Sequence, residues 1–114
     1  MPEKIALVTG ASSGFGLLTS IELAKAGFLV VATMRDLGRR EHLDKTAAAG
    51  GLTPKLDIRE LDVTRFDTIQ PFVDGAVRDY GRLDVLVNNA GFAVAGFAED
   101  IKLDELRQIG RAHV

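Results

Sequence analysis

Four short apolar runs, at residues 5–8, 28–33, 56–61 and 83–87, are separated by segments with helical spacing, and this alternation constrains the chain most. A continuous apolar run of this length, bounded by turn signals, fits a strand buried on both faces. Between the first two runs, Leu17, Leu18, Ile21 and Ala24 recur at helical spacing over residues 14–26, and Gly27 follows where a left-handed residue commonly ends a helix. A weaker helical pattern over 38–49 is stopped by Gly50 and Gly51. A third covers 64–80. Thr64 and Asp67 have capping-box spacing there, Pro71 must kink the helix or delay its start, and Gly81 ends it. The run at 56–61 is more polar than the others, and a last helical pattern begins near Lys102.

A β-α-β-α-β-α-β order with short connections and right-handed crossovers predicts an α/β fold, a doubly wound parallel sheet with helices on both faces. Ligands of such sheets sit beyond the C-terminal strand ends, at the switch point of the topology. The loops at 10–16, 34–36, 62–63 and 88–91 are therefore where chemistry is expected.

Composition narrows the partners. At 114 residues the chain is one domain at most, and 46% hydrophobic with 26% charged residues excludes a disordered chain. Fourteen basic against sixteen acidic residues give a net charge of −2 with no basic block, which argues against a nucleic-acid or membrane-surface protein. Without cysteine there is no disulfide framework or thiolate metal site, and His42 and His113 lack zinc-ligand spacing. The run after the N-terminal Met-Pro-Glu-Lys is too short for a signal peptide, and none approaches the ~20 residues of a membrane span, so a cytoplasmic location is expected.

The first loop carries the most chemistry. Thr9-Gly10-Ala11-Ser12-Ser13-Gly14-Phe15-Gly16 joins the first strand to the first helix. A helix start offers unpaired N–H groups and the positive end of the dipole, and glycines let backbone approach a pyrophosphate. Ser12 and Ser13 add hydroxyl donors. The plain alternative is a tight turn that happens to be glycine-rich, but position after a strand and before a helix is the context that supports dinucleotide binding.

Thr9-Gly10-x-x-x-Gly14-x-Gly16, Asp62-Val63 and Asn88-Asn89-Ala90-Gly91 together resemble the short-chain dehydrogenase/reductase family of the classical type, in the family's order, over residues 1 to about 108. The three residues between Gly10 and Gly14 separate the chain from the extended branch of sugar-nucleotide epimerases, where that gap is two. The resemblance implies the N-terminal part of a Rossmann-type fold, four strands in spatial order 3-2-1-4. It implies that Gly10, Ser12, Ser13, Gly14, Phe15 and Gly16 cradle the pyrophosphate. Asp62 and Val63 would flank the adenine, and Asn89, Ala90 and Gly91 would line the nicotinamide-side ribose. Asn88 is expected to tie neighbouring strands together.

Cofactor choice falls on the end of the second strand. An acid there binds the ribose 2′-hydroxyl of NAD, whereas an Arg accepts the 2′-phosphate of NADP. In the family's alignment the discriminating acid falls at Met34, which is apolar, and Arg35 stands where NADP-preferring members carry a base. NADP is the expected cofactor, with NAD as the alternative. Asp36 lies where an NAD-type acid could sit, or caps the next helix. The Arg39-Arg40 pair either helps hold that phosphate or forms a solvated helix face, and the second is expected. The stretch Met34-Arg35-Asp36-Leu37 is also similar to the hydroxysteroid and retinol dehydrogenase branch.

The family moves a hydride between nicotinamide and a carbonyl or alcohol. A Tyr with a Lys four residues later and a Ser do the proton and orientation work, and these lie past position 114. Tyr80 has Asp84 at the Lys position and reads as a helix-end residue packing its ring, so no catalytic residue and no metal ligand is assigned. After Leu106-Arg107-Gln108 the family pattern fails, with Gly110 and His113 where Phe and Asn are expected. Residues 109–114, Ile-Gly-Arg-Ala-His-Val, back-translate to ATC GGA AGA GCA CAC GTC, which resembles a sequencing adapter, so a non-native tail is expected from 109. On this reading residues 1–108 are a truncated NAD(P)-binding domain, inactive by itself, poorly soluble through the apolar edge at 83–87, and not expected to assemble natively. The full-length protein would be a homo-oligomer acting on a small-molecule carbonyl or alcohol. The alternative is a non-catalytic dinucleotide-binding module.

Overall fold

A computed structural model describes residues 3–89. The order is β1 (Ile5–Val8), α1 (Gly14–Lys25), β2 (Leu29–Met34), a 3-10 turn (Leu37–Arg39), α2 (Glu41–Ala49), a second 3-10 turn (Thr53–Lys55), β3 (Leu56–Glu60), α3 (Phe66–Tyr80) and β4 (Val85–Val87). The four strands form one parallel sheet in the order β3-β2-β1-β4, as the sequence predicts. Ala90, Gly91, the pattern near Lys102 and residues 109–114 lie outside the described residues.

The apolar runs are continuous because both faces of the sheet are covered. On one face Ile5, Leu7, Val31 and Leu86 pack with Ile69, Val73 and Ala76 of α3. On the other, Val8, Val30, Ala32 and Met34 pack with Leu17, Ile21 and Ala24 of α1 and Leu43 and Ala47 of α2. Successive residues of β1 thus alternate between two cores, each burial contributing about 1.5–3 kcal/mol for a large aliphatic side chain. Among the described residues no helix is long and apolar enough to cross a membrane.

Polar β3 is an edge strand whose exposed character is used. Asp57 and Arg59 share a face, and Arg59 Nη2 donates to Asp57 Oδ2 at 2.8 Å and to Asp79 Oδ2 of α3 at 3.0 Å. The Tyr80 hydroxyl donates to the same Asp57 oxygen, and the Arg59 guanidinium lies 5.8 Å from the Tyr80 ring centre. Tyr80 therefore does pack its ring at a helix end, and its hydroxyl is engaged there as well.

Two of the boundaries that differ from expectation have a visible cause. Strand β2 begins at Leu29 because the Phe28 N–H donates back to Leu23 O at 3.1 Å and so belongs to the end of α1. Helix α3 begins at Phe66, without a capping box. Instead Asp62 Oδ1 accepts from the Thr64 N–H at 3.0 Å and the Thr64 hydroxyl at 2.6 Å, an Asx turn that precedes the helix. The helix then runs through Pro71, whose cost of about 3 kcal/mol is offset by the buried Ile69, Val73 and Ala76.

Candidate functional site

The C-terminal ends of β1, β2 and β4 are laced together by short polar contacts. The Thr9 N–H donates to Val87 O at 3.1 Å, and the Ala11 N–H donates to Thr33 O at 2.9 Å. The Thr33 hydroxyl donates to Val8 O at 3.0 Å. From this fixed base the chain turns at Gly10 (φ 64°) and Gly14 (φ 58°), both in the left-handed region that favours glycine. Gly16 is required for another reason. A Cβ placed on it would fall 2.0 Å from Gly10 O, so the first turn of α1 passes directly against the end of β1.

Helix α1 starts uncapped. Ser13 is its extended N-cap residue and makes no side-chain capping bond, and no acidic residue occupies the first turn. The start of α1 thus keeps the unsatisfied N–H groups and positive potential that attract an anion. Phe15 beside it is 48% exposed, an apolar surface at the mouth of the turn. The Asn89 side chain reaches in from the end of β4 and donates from Nδ2 to Gly10 O at 3.2 Å. This side chain ties the end of β4 to the end of β1.

Beside the glycine turn lies a cleft of about 330 Å³ lined by Gly10, Ser12, Met34, Arg35, Asp36 and Arg39. Met34 is buried in the core beneath it. Arg35 is exposed at its rim. The Asp36 carboxylate accepts from the Gly38 N–H at 2.8 Å, so it caps the 3-10 turn, one of the two roles open to it from sequence. Arg40 pairs with Asp44 at 2.9 Å along α2, as a solvated helix residue should. Arg39, in the 3-10 turn, is exposed and lines the cleft with Arg35. The sequence Asp36-Leu37-Gly38 carries the signal for this turn, since an Asp two residues before Gly favours an Asx-type turn.

The end of β3 supplies Asp62. Hydrogen bonds from the Thr64 hydroxyl and N–H, aided by the fields of Arg35 and Arg65, hold its carboxyl below the usual carboxylate range. These bonds occupy Oδ1, leaving Oδ2 to accept from a ligand donor. Val63 packs against the α3-side core. The structure thus brings the glycine turn, Ser12, Arg35 and Asn89 to one end of the sheet, with Asp62 at the end of the next strand.

Residues 4–111 match the family described as short chain dehydrogenase. An uncharacterized oxidoreductase, YusZ, of Bacillus subtilis is 47% identical over 108 residues, covering 95% of this chain and 38% of the relative. Retinol dehydrogenase 8 of Homo sapiens is 37% identical over 109 residues, covering 93% of this chain and 34% of that protein. The chain therefore spans less than half the length of these relatives. Among solved structures, a metagenomic short-chain oxidoreductase in complex with NADP superposes with a TM-score of 0.70 at 28% identity, covering 97% of this chain and 55% of that one. A short-chain dehydrogenase/reductase from Burkholderia phymatum in complex with NAD gives 0.63 at 28% identity, covering 75% of this chain and 30% of that one. The tight glycine turn and the 3-2-1-4 sheet already pointed the same way as these matches, and the chain belongs to the short-chain dehydrogenase family.

Proposed function

We propose that this chain is the cofactor-binding part of an oxidoreductase that moves a hydride between a nicotinamide dinucleotide, NADP in preference to NAD, and a carbonyl or alcohol substrate. The observation that carries the reading is the cleft that sets Arg35 beside Gly10 and Ser12 of the glycine turn, which leads into the uncapped start of α1. The donor set fits the cofactor. Backbone N–H groups with the Ser12 and Ser13 hydroxyls suit a pyrophosphate, and a guanidinium at the end of β2 suits a 2′-phosphate. The carboxylate that would favour NAD is bonded to the Gly38 N–H. In this reading Asp62 Oδ2 accepts from the adenine amine, and Asn89 lines the nicotinamide-side ribose while steadying Gly10.

The bound dinucleotide supplies or accepts the hydride; this chain's residues bind and orient it. Tyr80 is bonded to Asp57 within β3, away from the strand ends that form the cleft, so it does not serve as the acid/base. Binding without turnover is the expected behaviour of the 114 residues alone. Substrate oxidation or reduction and homo-oligomer assembly belong to the full-length protein in this reading, which also includes loss of the native frame after Gln108.

Calorimetric titration of the chain with NADPH and NADH tests the proposal. Saturable binding of both, tighter for NADPH, is expected; a folded chain that binds neither overturns it. Sequencing the source DNA past codon 108 tests the frame. Continuation into a Ser and a Tyr-x-x-x-Lys supports an enzyme, whereas a natural stop after Val114 leaves only the dinucleotide-binding module.

A further inference from the structure

We infer that Thr33 is a positioning residue for the dinucleotide: its hydroxyl and its carbonyl hold the chain on both sides of Gly10 and so set where the glycine turn presents its donors. This rests on the proposed nucleotide-binding reading. Thr33 is the one polar residue of β2 and is 1% exposed. A buried hydroxyl costs free energy unless it is hydrogen-bonded, and valine would meet the packing needs of a buried strand equally well. The Thr33 hydroxyl donates to Val8 O at 3.0 Å, the residue that ends β1. Thr33 O in turn accepts from the Ala11 N–H at 2.9 Å.

Four consecutive residues are thus anchored, each by one backbone group. Val8 O and the Ala11 N–H are held by Thr33. Between them the Thr9 N–H donates to Val87 O at 3.1 Å, and Gly10 O accepts from Asn89 Nδ2 at 3.2 Å. Gly10, at φ 64°, turns the chain between the two points that Thr33 holds. Ser12 follows directly and lines the cleft. A shift of residues 8–11 is therefore passed on to Ser12 and to the start of α1. Thr33 is too deeply buried to reach a ligand itself, so it acts on binding only through the turn.

Calorimetric titration of the whole chain with NADPH and with NADH, paired with melting curves, tests this. Thr33→Val exchanges the hydroxyl for a methyl and should weaken both nucleotides alike, by about fivefold. Thr33→Ser keeps the hydroxyl and should recover most of that loss. Val73→Ala removes buried contacts under α3, away from the glycine turn, and should lower the melting temperature without changing either affinity. Should Thr33→Val fail to fold, Thr33→Ala lacks the hydroxyl without added bulk and carries the same comparison. Wild-type affinity in a variant without the hydroxyl overturns the inference, as does a Thr33→Ser protein that binds no better than Thr33→Val. A loss confined to NADPH would mean that Thr33 acts through Arg35 rather than the turn, and equal losses in Val73→Ala would reduce its effect to general stability; both overturn it. A folded wild-type chain that binds neither nucleotide overturns the reading beneath it instead.

Discussion

Gly16 and Gly10 lie so close that a Cβ on Gly16 would stand 2.0 Å from the Gly10 carbonyl oxygen and 2.9 Å from the Asn89 amide nitrogen that donates to it. Helix α1, the end of β1 and the end of β4 therefore meet at one carbonyl. The obstacle is backbone, which cannot swing aside as a side chain could.

Gly16→Ala is accordingly expected to destabilise the chain by about 2 kcal/mol or more and to weaken both nucleotides together, because the whole turn must shift. Gly14→Ala makes a useful contrast. Nothing lies within 4 Å of its added methyl, yet its backbone is left-handed at φ 58°. The cost there is conformational, about 1 kcal/mol. Urea unfolding of the two variants separates the two causes: a Gly16→Ala protein as stable as wild type would contradict the packing described.

Asp62 combines a turn with the proposed adenine contact, and the two roles separate by substitution. Asp62→Asn keeps an oxygen for the Thr64 N–H and hydroxyl, so α3 should start as before. Asp62→Ala loses the turn and the free oxygen together. Since adenine is common to both nucleotides, Asp62→Ala should weaken NADPH and NADH equally, by about fivefold. A change confined to NADPH would mean that Asp62 acts through Arg35 instead.

Much of this was legible from sequence, and the reasons are physical. Strands β1 and β2 bury both faces, so their residues read as unbroken apolar runs. Strand β4 read two residues too long because Asp84, although in an apolar run, turns its carboxylate to accept the Ile5 N–H at 2.8 Å. That bond closes the start of the sheet by a side chain, which hydrophobic patterning does not register. The glycine motif announced its own turn. The different surroundings of Arg39 and Arg40 were not legible because the helical pattern at 38–49 merges two elements, a 3-10 turn and α2, that meet at Arg40. Only the local hydrogen bonding of Asp36 separates them.

The pairing of Asp57, Arg59 and Tyr80 predicts stability limits at both ends of the pH scale. Burial pushes the Asp57 carboxyl up, but hydrogen bonds from Arg59 and Tyr80 outweigh it and hold the group below the usual carboxylate range. A carboxylate lowered by folding contributes stability above its unfolded value, about 3.9, and that contribution is lost as pH falls through the lower folded value. For Tyr80, burial and the hydrogen bond to Asp57 push the hydroxyl up. The folded state then holds its proton more tightly than the unfolded chain. This contribution is full below about pH 10 and is lost as pH rises from there through the raised folded value. Tyr80→Phe removes the titrating hydroxyl and one bond to a partly solvated carboxylate, so about 0.5 kcal/mol should be lost at pH 7. The alkaline fall in melting temperature should flatten, while the acid limb persists through the remaining Arg59–Asp57 pair. Nucleotide affinity should not change, because this cluster is built on β3 and the end of α3 rather than on the glycine turn. Melting curves of wild type and Tyr80→Phe between pH 3 and about 11 check all three outcomes, and an unaltered alkaline limb would show that Tyr80 does not set it.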